Sequence, residues 1–244
     1  MSLRITLATA ARVLRQLRRD HRTLALVLLV PPLLMTLFKY VFYGQEETFD
    51  RVGPPLVGIF PFVTMFLVTS IAMLRERTTG TLERLMSMPL AKLDLLLGYG
   101  LAFAAIAVVQ ATLTATVAIG FLGLDPAGPV WLIVVFAVGN AVLGMALGLF
   151  LSAFAQTEFQ AVQFMPAFVL PQILLAGLLV PRENMARVLE LVSDLLPMTY
   201  AYDALARAAA DDLGRRLAVD AVVIAGFIVL ALVLGATTLR RRTA

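Results

Sequence analysis

Apolar runs of about 20 residues recur along this 244-residue chain, and they limit its fold more than any other feature. About 20 apolar residues in a helix cross the hydrocarbon core of a bilayer, which is about 30 Å thick. The composition agrees, because only 15% of the residues are charged, whereas about a quarter are charged in soluble domains. The sequence predicts an all-α integral membrane protein, one domain over residues 1–244, with six transmembrane helices. The predicted spans are 23–43, 55–74, 95–122, 130–154, 161–180 and 218–239.

Residues 1–22 form a basic, periodic segment ahead of the first span. Leu3, Leu7, Ala10, Leu14 and Leu17 recur at spacings of four and three, which puts them on one helical face. Arginines occupy roughly the opposite face, so the pattern predicts an amphipathic helix in the membrane interface. A signal peptide is disfavoured because the following apolar run is too long and no small-residue cleavage site follows.

Lysine and arginine placement sets the predicted orientation. With both termini inside, the inner segments carry 13 of these residues and the outer segments carry 6. Cytoplasmic loops carry the excess of basic residues in membrane proteins. The bias therefore predicts both termini in the cytoplasm and puts the loop at 75–92 on the cytoplasmic side.

That loop has the sequence signals of a short helix of its own. Gly80 interrupts the chain, Thr81 is a good N-cap, and Glu83 lies where the helix dipole favours a carboxylate. Pro89 ends the helix about two turns later. Its apolar residues, Leu82, Leu85, Met86 and Leu90, would fall near one side. A short helix needs a packing partner, so the segment is either an ordinary basic loop or a helix that docks in a groove of a cytoplasmic partner.

The segment 181–217 separates the last two predicted spans. It contains an apolar stretch at 188–196 that is too short to cross a bilayer, followed by Pro197. Two interpretations remain open. Short re-entrant helices could dip into the outer leaflet and return, where such backbone must be buried in protein or line a wet cavity. Alternatively, a peripheral helix could lie on the outer surface.

Several classes of chemistry are excluded by what the sequence lacks. It contains no cysteine, one histidine (His21) and no phosphate-binding P-loop motif. The middle of each span holds no ionisable residue, which argues against a proton- or sodium-coupled carrier. The net charge of +4 is not a nucleic-acid signature, because in membrane proteins the location of charge matters more than its sum. We therefore expect no enzyme activity, no metal site and no nucleic-acid partner.

Three groups of residues together resemble the permease subunit of ABC-2 type exporters, which include daunorubicin-resistance permeases. The first is Glu76-Arg77, then Gly80 through Leu85 and Pro89, similar to the family's coupling helix. The second group lies along the fifth span and consists of Gln160-Ala161, Pro166, Pro171, Gly177 and Pro181. The third group precedes the last span and consists of residues 196–200, Asp203-Ala204-Leu205 and Arg207. The chain departs from the pattern at Ala176, where the family usually has serine.

The resemblance implies an ATP-driven exporter in a bacterial inner membrane. Two permease chains, identical or related, would associate with two separate ATPase chains, which would bind ATP and Mg²⁺; this chain itself would bind no cofactor. Its residues for ATPase coupling would be Glu76, Arg77, Gly80, Thr81, Leu82, Glu83, Arg84, Leu85 and Met86.

The resemblance also implies that the second and fifth spans border the pathway of an apolar or amphipathic drug, antibiotic or lipid. The candidate cargo contacts are Thr64, Phe66, Thr69, Gln163, Phe168 and Gln172. The alternatives are an ATP-independent carrier of ions or small solutes, and a membrane anchor that recruits a cytoplasmic enzyme.

Overall fold

The computed structural model describes residues 3–86 and 92–238, apart from the side chains of residues 82, 83, 86 and 92. Within these ranges helices are the only regular structure, with no strand. The helices are α1 (Leu3–Arg19), α2 (His21–Val41), α3 (Glu46–Thr78), α4 (Thr81–Met86), α5 (Lys92–Gly120), α6 (Val130–Leu151), α7 (Glu158–Phe164), α8 (Leu170–Leu175), α9 (Arg187–Ser193), α10 (Pro197–Ala209) and α11 (Arg215–Thr238). A π-helical segment, Met165–Val169, joins α7 to α8, and a 3₁₀ turn, Arg182–Asn184, precedes α9.

Five of these helices are long and apolar enough to cross a membrane: α2, α3, α5, α6 and α11. They confirm the all-helical prediction and coincide with five of the six predicted spans. The predicted span 161–180 is divided instead among α7, the π segment and α8. Pro166 and Pro171 lie in this stretch and lack the backbone N–H that a regular helix needs. The count of six is therefore not confirmed.

Two prolines, Pro31 and Pro32, lie inside α2, and the break that they make in its hydrogen bonding has a specific partner in α5. Pro31 has no N–H, so the carbonyl four residues earlier, on Val27, loses its bond within the helix. The Gln110 side-chain amide of α5 donates to that carbonyl at 2.6 Å. An unpaired carbonyl is costly in an apolar interior, so this contact fixes where α5 meets α2.

The centre of the bundle is a close contact between α3 and α6. Gly144 and Gly148 of α6 lie against the α3 backbone, where a β-carbon on Gly144 would come 2.3 Å from the Phe62 carbonyl oxygen. A β-carbon on Gly148 would come 2.5 Å from the Phe66 carbonyl oxygen. Small residues four apart allow helix backbones to approach in this way.

The bundle has two distinct ends, which we name the α4 end and the α10 end. At the α10 end, α10 is inserted among α3, α6 and α11, with Met198, Ala201, Ala204 and Leu205 fully buried. The Gly128 N–H donates to the Ala209 carbonyl at 2.9 Å. By contrast, α9 leaves most of its apolar side chains exposed. The segment 181–217 therefore combines a surface helix with a buried one.

Helix α1 packs on α5 through small side chains rather than through its leucines. Thr6, Thr9, Ala10 and Val13 are buried. Thr9 lies so close to Gly98 of α5 that a β-carbon there would be 2.5 Å away. Leu3, Leu7 and Leu14 stay exposed. They form an apolar stripe that is suited to contact with lipid at the membrane interface.

The α3–α6 contact yields a prediction with a matched control in the same helix. Gly144→Ala forces a methyl group against backbone, so we expect the free energy of unfolding to fall by about 1–3 kcal/mol. Gly139→Ala adds the same methyl group where nothing lies within 4 Å, and both variants share the same gain in helix propensity. Reversible unfolding in mixed detergent micelles measures the difference. Equal stability of the two variants would contradict the close contact.

Candidate functional site

A sharp elbow joins α3 to α4. Gly80 adopts φ +72°, a left-handed conformation that suits glycine. The Thr79 N–H and hydroxyl both donate to the Arg75 carbonyl, at 2.9 and 2.8 Å, and so close the end of α3. The break predicted at Gly80 is therefore present. The capping prediction was displaced by one residue: Thr81 is the first helical residue, and the Gly80 carbonyl accepts from the Arg84 N–H at 3.1 Å.

The surface of α4 is described only in part. The Leu85 side chain is half-buried against this chain's own core, and Arg84 is exposed. The side chains of Leu82, Glu83 and Met86 lie outside the described part, as does Pro89, so the predicted apolar face and helix end stay predictions. The packing of Leu85 shows that α4 rests on its own bundle as well as presenting an outer surface.

The last turn of α3 is held by a buried polar cluster formed by Arg12, Glu76 and Tyr99. Glu76 is only 7% exposed. The Arg12 guanidinium donates to Glu76 Oε1 from both terminal nitrogens, at 3.4 and 3.5 Å, and also donates to the Tyr99 hydroxyl. It also lies over the Tyr99 ring, 5.5 Å from the centroid, which adds a cation–π contact. The cluster therefore joins α1, α3 and α5 directly beside the elbow.

The neighbouring residue, Arg75, makes a second link in another direction. Its guanidinium donates to both carboxylate oxygens of Glu158, at 2.7 and 3.1 Å, and so joins α3 to the first turn of α7. The hydrogen bond from Arg75 lowers the pKa of Glu158. Arg77, the other predicted residue of this turn, is half-buried, and its Nε has no hydrogen-bond partner in the described part of the protein.

The loop between α1 and α2 is fixed at the same end. The Asp20 carboxylate caps α2 by accepting from the Thr23 N–H at 3.1 Å and from the Thr23 hydroxyl at 2.6 Å. These two bonds lower the pKa of Asp20. The cap fixes where α2 leaves the α4 end.

A groove of about 940 Å³ runs along α3, between it and the helices α1 and α2. Its charged side chains, Arg12, Asp20, Arg75 and Glu76, are gathered at the α4 end. The rest of the wall is mostly aliphatic and aromatic, with Met165, Ile173 and Leu178 closing one side. Such a groove fits a ligand with a long apolar body and a polar group at one end.

The predicted cargo contacts on α3 separate into two groups. Thr64 lines the groove, although its hydroxyl donates to the Phe60 carbonyl at 2.9 Å. Phe66 and Thr69 are fully buried against α6 instead, and the Thr69 hydroxyl contacts the Met65 and Met145 carbonyls at 2.7 and 3.2 Å. These two side chains pack the α3–α6 contact and, in this conformation, are closed to a ligand.

The predicted contacts on the α7–α8 stretch lie outside the groove lining. Gln163 and Phe168 are exposed, and the Gln172 amide donates to the Phe168 carbonyl of its own turn at 2.9 Å. None of the three lines the groove, although Met165 and Ile173 of the same stretch do. Thr64 is therefore the one predicted contact that lies in the groove.

Sequence reasoning missed two members of the polar cluster. The sequence predicted Arg12 only as one of several arginines on the polar face of the amphipathic helix, and no sequence pattern indicated a role for Tyr99. A hint existed in Glu76, since a carboxylate next to an apolar span needs a cationic partner.

The comparisons with known proteins agree with this architecture. The model of the ABC-2 type transporter family matches residues 5–208. This chain belongs to the ABC-2 type transporter family. With its candidate spans, it is a multi-pass membrane protein.

Three relatives illustrate the similarity. The probable multidrug ABC transporter permease YbhR of Escherichia coli is 30% identical over 155 residues, covering 62% of this chain and 41% of that protein. YbhS, described in the same words, is 26% identical over 172 residues, covering 69% and 45%. ABC transporter G family member 20 of Dictyostelium discoideum is 26% identical over 165 residues, covering 67% and 23%. The chain spans less than half the length of these relatives.

The polar cluster generates a stability prediction. Arg12→Ala leaves the Glu76 carboxylate buried without a cation, so we expect a loss of about 1–3 kcal/mol in the free energy of unfolding. Arg18→Ala removes an exposed arginine from the same helix and should have little effect. Repeating Arg12→Ala in a Glu76→Gln background should cost less, because no buried charge remains. Unfolding curves of the wild type and the four variants in detergent provide the test, and equal losses in both backgrounds would contradict the pairing.

Proposed function

We propose that this chain is the transmembrane permease subunit of an ATP-driven exporter that moves apolar or amphipathic molecules out of a bacterial cell. Two copies of a separate ATPase chain bind ATP and Mg²⁺ and supply the energy. A second permease chain, identical or related, completes the membrane part. The observation that carries the proposal is the link from the elbow to the groove. Arg75 and Glu76, four and three residues before Thr79, tie α3 to α7 and α1. Helices α1 and α3 both line the groove, and so does Met165, the residue that follows α7.

Helix α4 is the proposed docking element for the ATPase. It follows a one-residue left-handed break at the end of a 33-residue helix, so a displacement of α4 acts on the end of α3. The ion pairs of Arg75 and Glu76 carry that displacement into α7 and α1. Leu82, Leu85 and Met86 fill the ATPase groove, while Glu83 and Arg84 make contacts at its rim that set orientation more than affinity.

The proposed membrane arrangement has six crossings with both termini in the cytoplasm. The positions of α1 and of the last part of α11 support it. Arg12 of α1 contacts Glu76 at the α4 end. Gly235 of α11 lies beside Phe150 at the end of α6, and the chain continues from there to Glu158, which pairs with Arg75 at the same end. The stretch from α7 to α8 supplies the sixth crossing. The α4 end faces the cytoplasm of a bacterial inner membrane, in agreement with the basic residues.

The groove is the proposed cargo site. Its apolar length suits the apolar part of a drug, antibiotic or lipid, and its charged end suits a polar group at the cytoplasmic interface. Contacts at Thr64 belong to this site. Gln163, Phe168 and Gln172 are proposed to meet cargo or the second permease chain from the outer face of α7–α8.

The docking proposal predicts the behaviour of two variants at one position. Leu85→Glu puts a carboxylate into the apolar contact, so the ATPase that copurifies from the native host in mild detergent should be lost. Leu85→Met keeps the side chain apolar and should retain it. Since Leu85 also packs on its own bundle, the thermal unfolding midpoint is measured for both. Gly80→Val, which strains the elbow without filling any contact, should also weaken association. A folded Leu85→Glu that binds the ATPase normally would rule out the docking role.

The cargo proposal predicts a loss of transport without a loss of docking. Thr64→Trp fills part of the groove, and ATP-dependent uptake of an amphipathic dye into inside-out vesicles should fall several-fold. Leu33→Trp adds the same ring to α2 at a position that is exposed and lies outside the groove, so uptake should stay normal. ATPase copurification should be unchanged in both. Normal uptake by Thr64→Trp would show that cargo passes elsewhere, and uptake without ATP would favour a carrier.

A further inference from the structure

The segment 181–217 carries five arginines, and three of them are paired with nearby carboxylates. Arg182 donates to Asp194 at 2.9 Å and to Asp203 at 3.0 Å. Arg187 donates to Glu190 at 2.7 Å. The third, Arg207, lies within ion-pair distance of three carboxylates: Asp203 at 3.9 Å, Asp212 at 3.1 Å and Asp220 at 3.2 Å. The charges of these three arginines are thus balanced within the protein.

Arg215 and Arg216, the first two residues of α11, differ from the other three. Both are exposed, and neither makes an ion pair with any residue in the ranges 3–86 and 92–238. An arginine at the end of a membrane-crossing helix extends its guanidinium to the level of the lipid headgroups. Two adjacent cations that are unpaired within the described part of the chain are therefore available to an anion at this level.

These two arginines line a pocket of about 630 Å³ between α10 and α11. The charged side chains of its wall are Arg182, Arg207, Arg215, Arg216, Asp194, Asp203 and Asp220. Four cations and three carboxylates leave a net charge of +1, with the carboxylates already engaged by Arg182 and Arg207. Asp212 also pairs with Arg207 but does not line the pocket. One negative charge would neutralise the wall.

The surface beside the arginines is apolar. Val219, one turn along α11, lines the pocket and is half-exposed, and Val222 is 71% exposed. Both lie on the membrane side of Arg215 and Arg216, because α11 is one of the candidate spans. A ligand at this site therefore meets cations at one end and aliphatic side chains at the other.

We propose that this pocket binds the phosphodiester headgroup of a membrane phospholipid, with its acyl chains lying along Val219 and Val222. Arg215 and Arg216 donate charge-assisted hydrogen bonds to the phosphate oxygens, a geometry for which the planar guanidinium is well suited. The single negative charge of the phosphodiester balances the wall of the pocket. The site belongs to this chain alone and does not depend on ATPase docking or on transport.

The test uses the delipidated full-length chain in detergent and a phosphatidylglycerol that carries a photoactivatable group next to its headgroup. After irradiation, peptide mass spectrometry should find the lipid on residues of 207–222. In Arg215→Gln/Arg216→Gln that labelling should fall at least about tenfold, equivalent to losing about 1.4 kcal/mol of binding. Arg51→Gln, which removes an exposed arginine outside this pocket, should keep it. Arg215→Lys/Arg216→Lys retains both charges and should keep most of it.

Competition distinguishes the possible sources of the phosphate. Unlabelled phosphatidylglycerol should displace the probe, whereas diacylglycerol, which lacks the phosphate, and inorganic phosphate, which lacks the chains, should not. Displacement by inorganic phosphate at similar concentration would make this a soluble-anion site and overturn the lipid assignment. Equal labelling of a folded Gln double variant, or displacement by diacylglycerol, would show only non-specific contact with surrounding lipid.

Discussion

The buried carboxylate of Glu76 is the constraint on which the α4 end of this protein depends. A carboxylate removed from water is costly unless a cation or several donors accompany it. Arg12 supplies that cation from α1, 64 residues earlier in the chain, and engages Tyr99 of α5 at the same time. Because Arg75 beside it pairs with Glu158 of α7, the three helices α1, α5 and α7 are fixed around one turn of α3. The direction in which the chain leaves for α4 follows from that arrangement.

The features that could be predicted from sequence are those set by strong local signals. Long apolar runs predict membrane-crossing helices because the bilayer fixes their length, and α2, α3, α5, α6 and α11 agree with them. Gly80 predicts the elbow because a left-handed residue is costly for other side chains. In each case a residue type restricts the backbone without help from distant parts of the chain.

The features that escaped prediction depend on which face of an apolar helix meets protein. Phe66 and Thr69 differ little in polarity from their neighbours on α3, so no amphipathic pattern indicates that they face α6. Likewise, Thr6 and Thr9 pack on α5 while Leu3 and Leu7 stay exposed, because a close approach to Gly98 favours small side chains over apolar ones. The irregular stretch from α7 to α8 shows the same limit. Its prolines predict an interruption of the helical hydrogen bonding. They do not predict that a π-helical segment forms there, because that depends on the surrounding helices.

The bond between Gln110 and the Val27 carbonyl has a consequence for how the groove can change width. It holds α2 at one level, beside the carbonyl that Pro31 leaves without an N–H. Only four residues of α2 are buried, Val27, Pro31, Pro32 and Met35, and all lie within about two turns of that level. On the other face of the same stretch, Leu29, Leu33 and Leu37 are exposed. If the groove widens by a tilt of α2, the tilt is smallest at the level of the Gln110 bond, whereas the backbones of α3 and α6 stay in contact at Gly144 and Gly148.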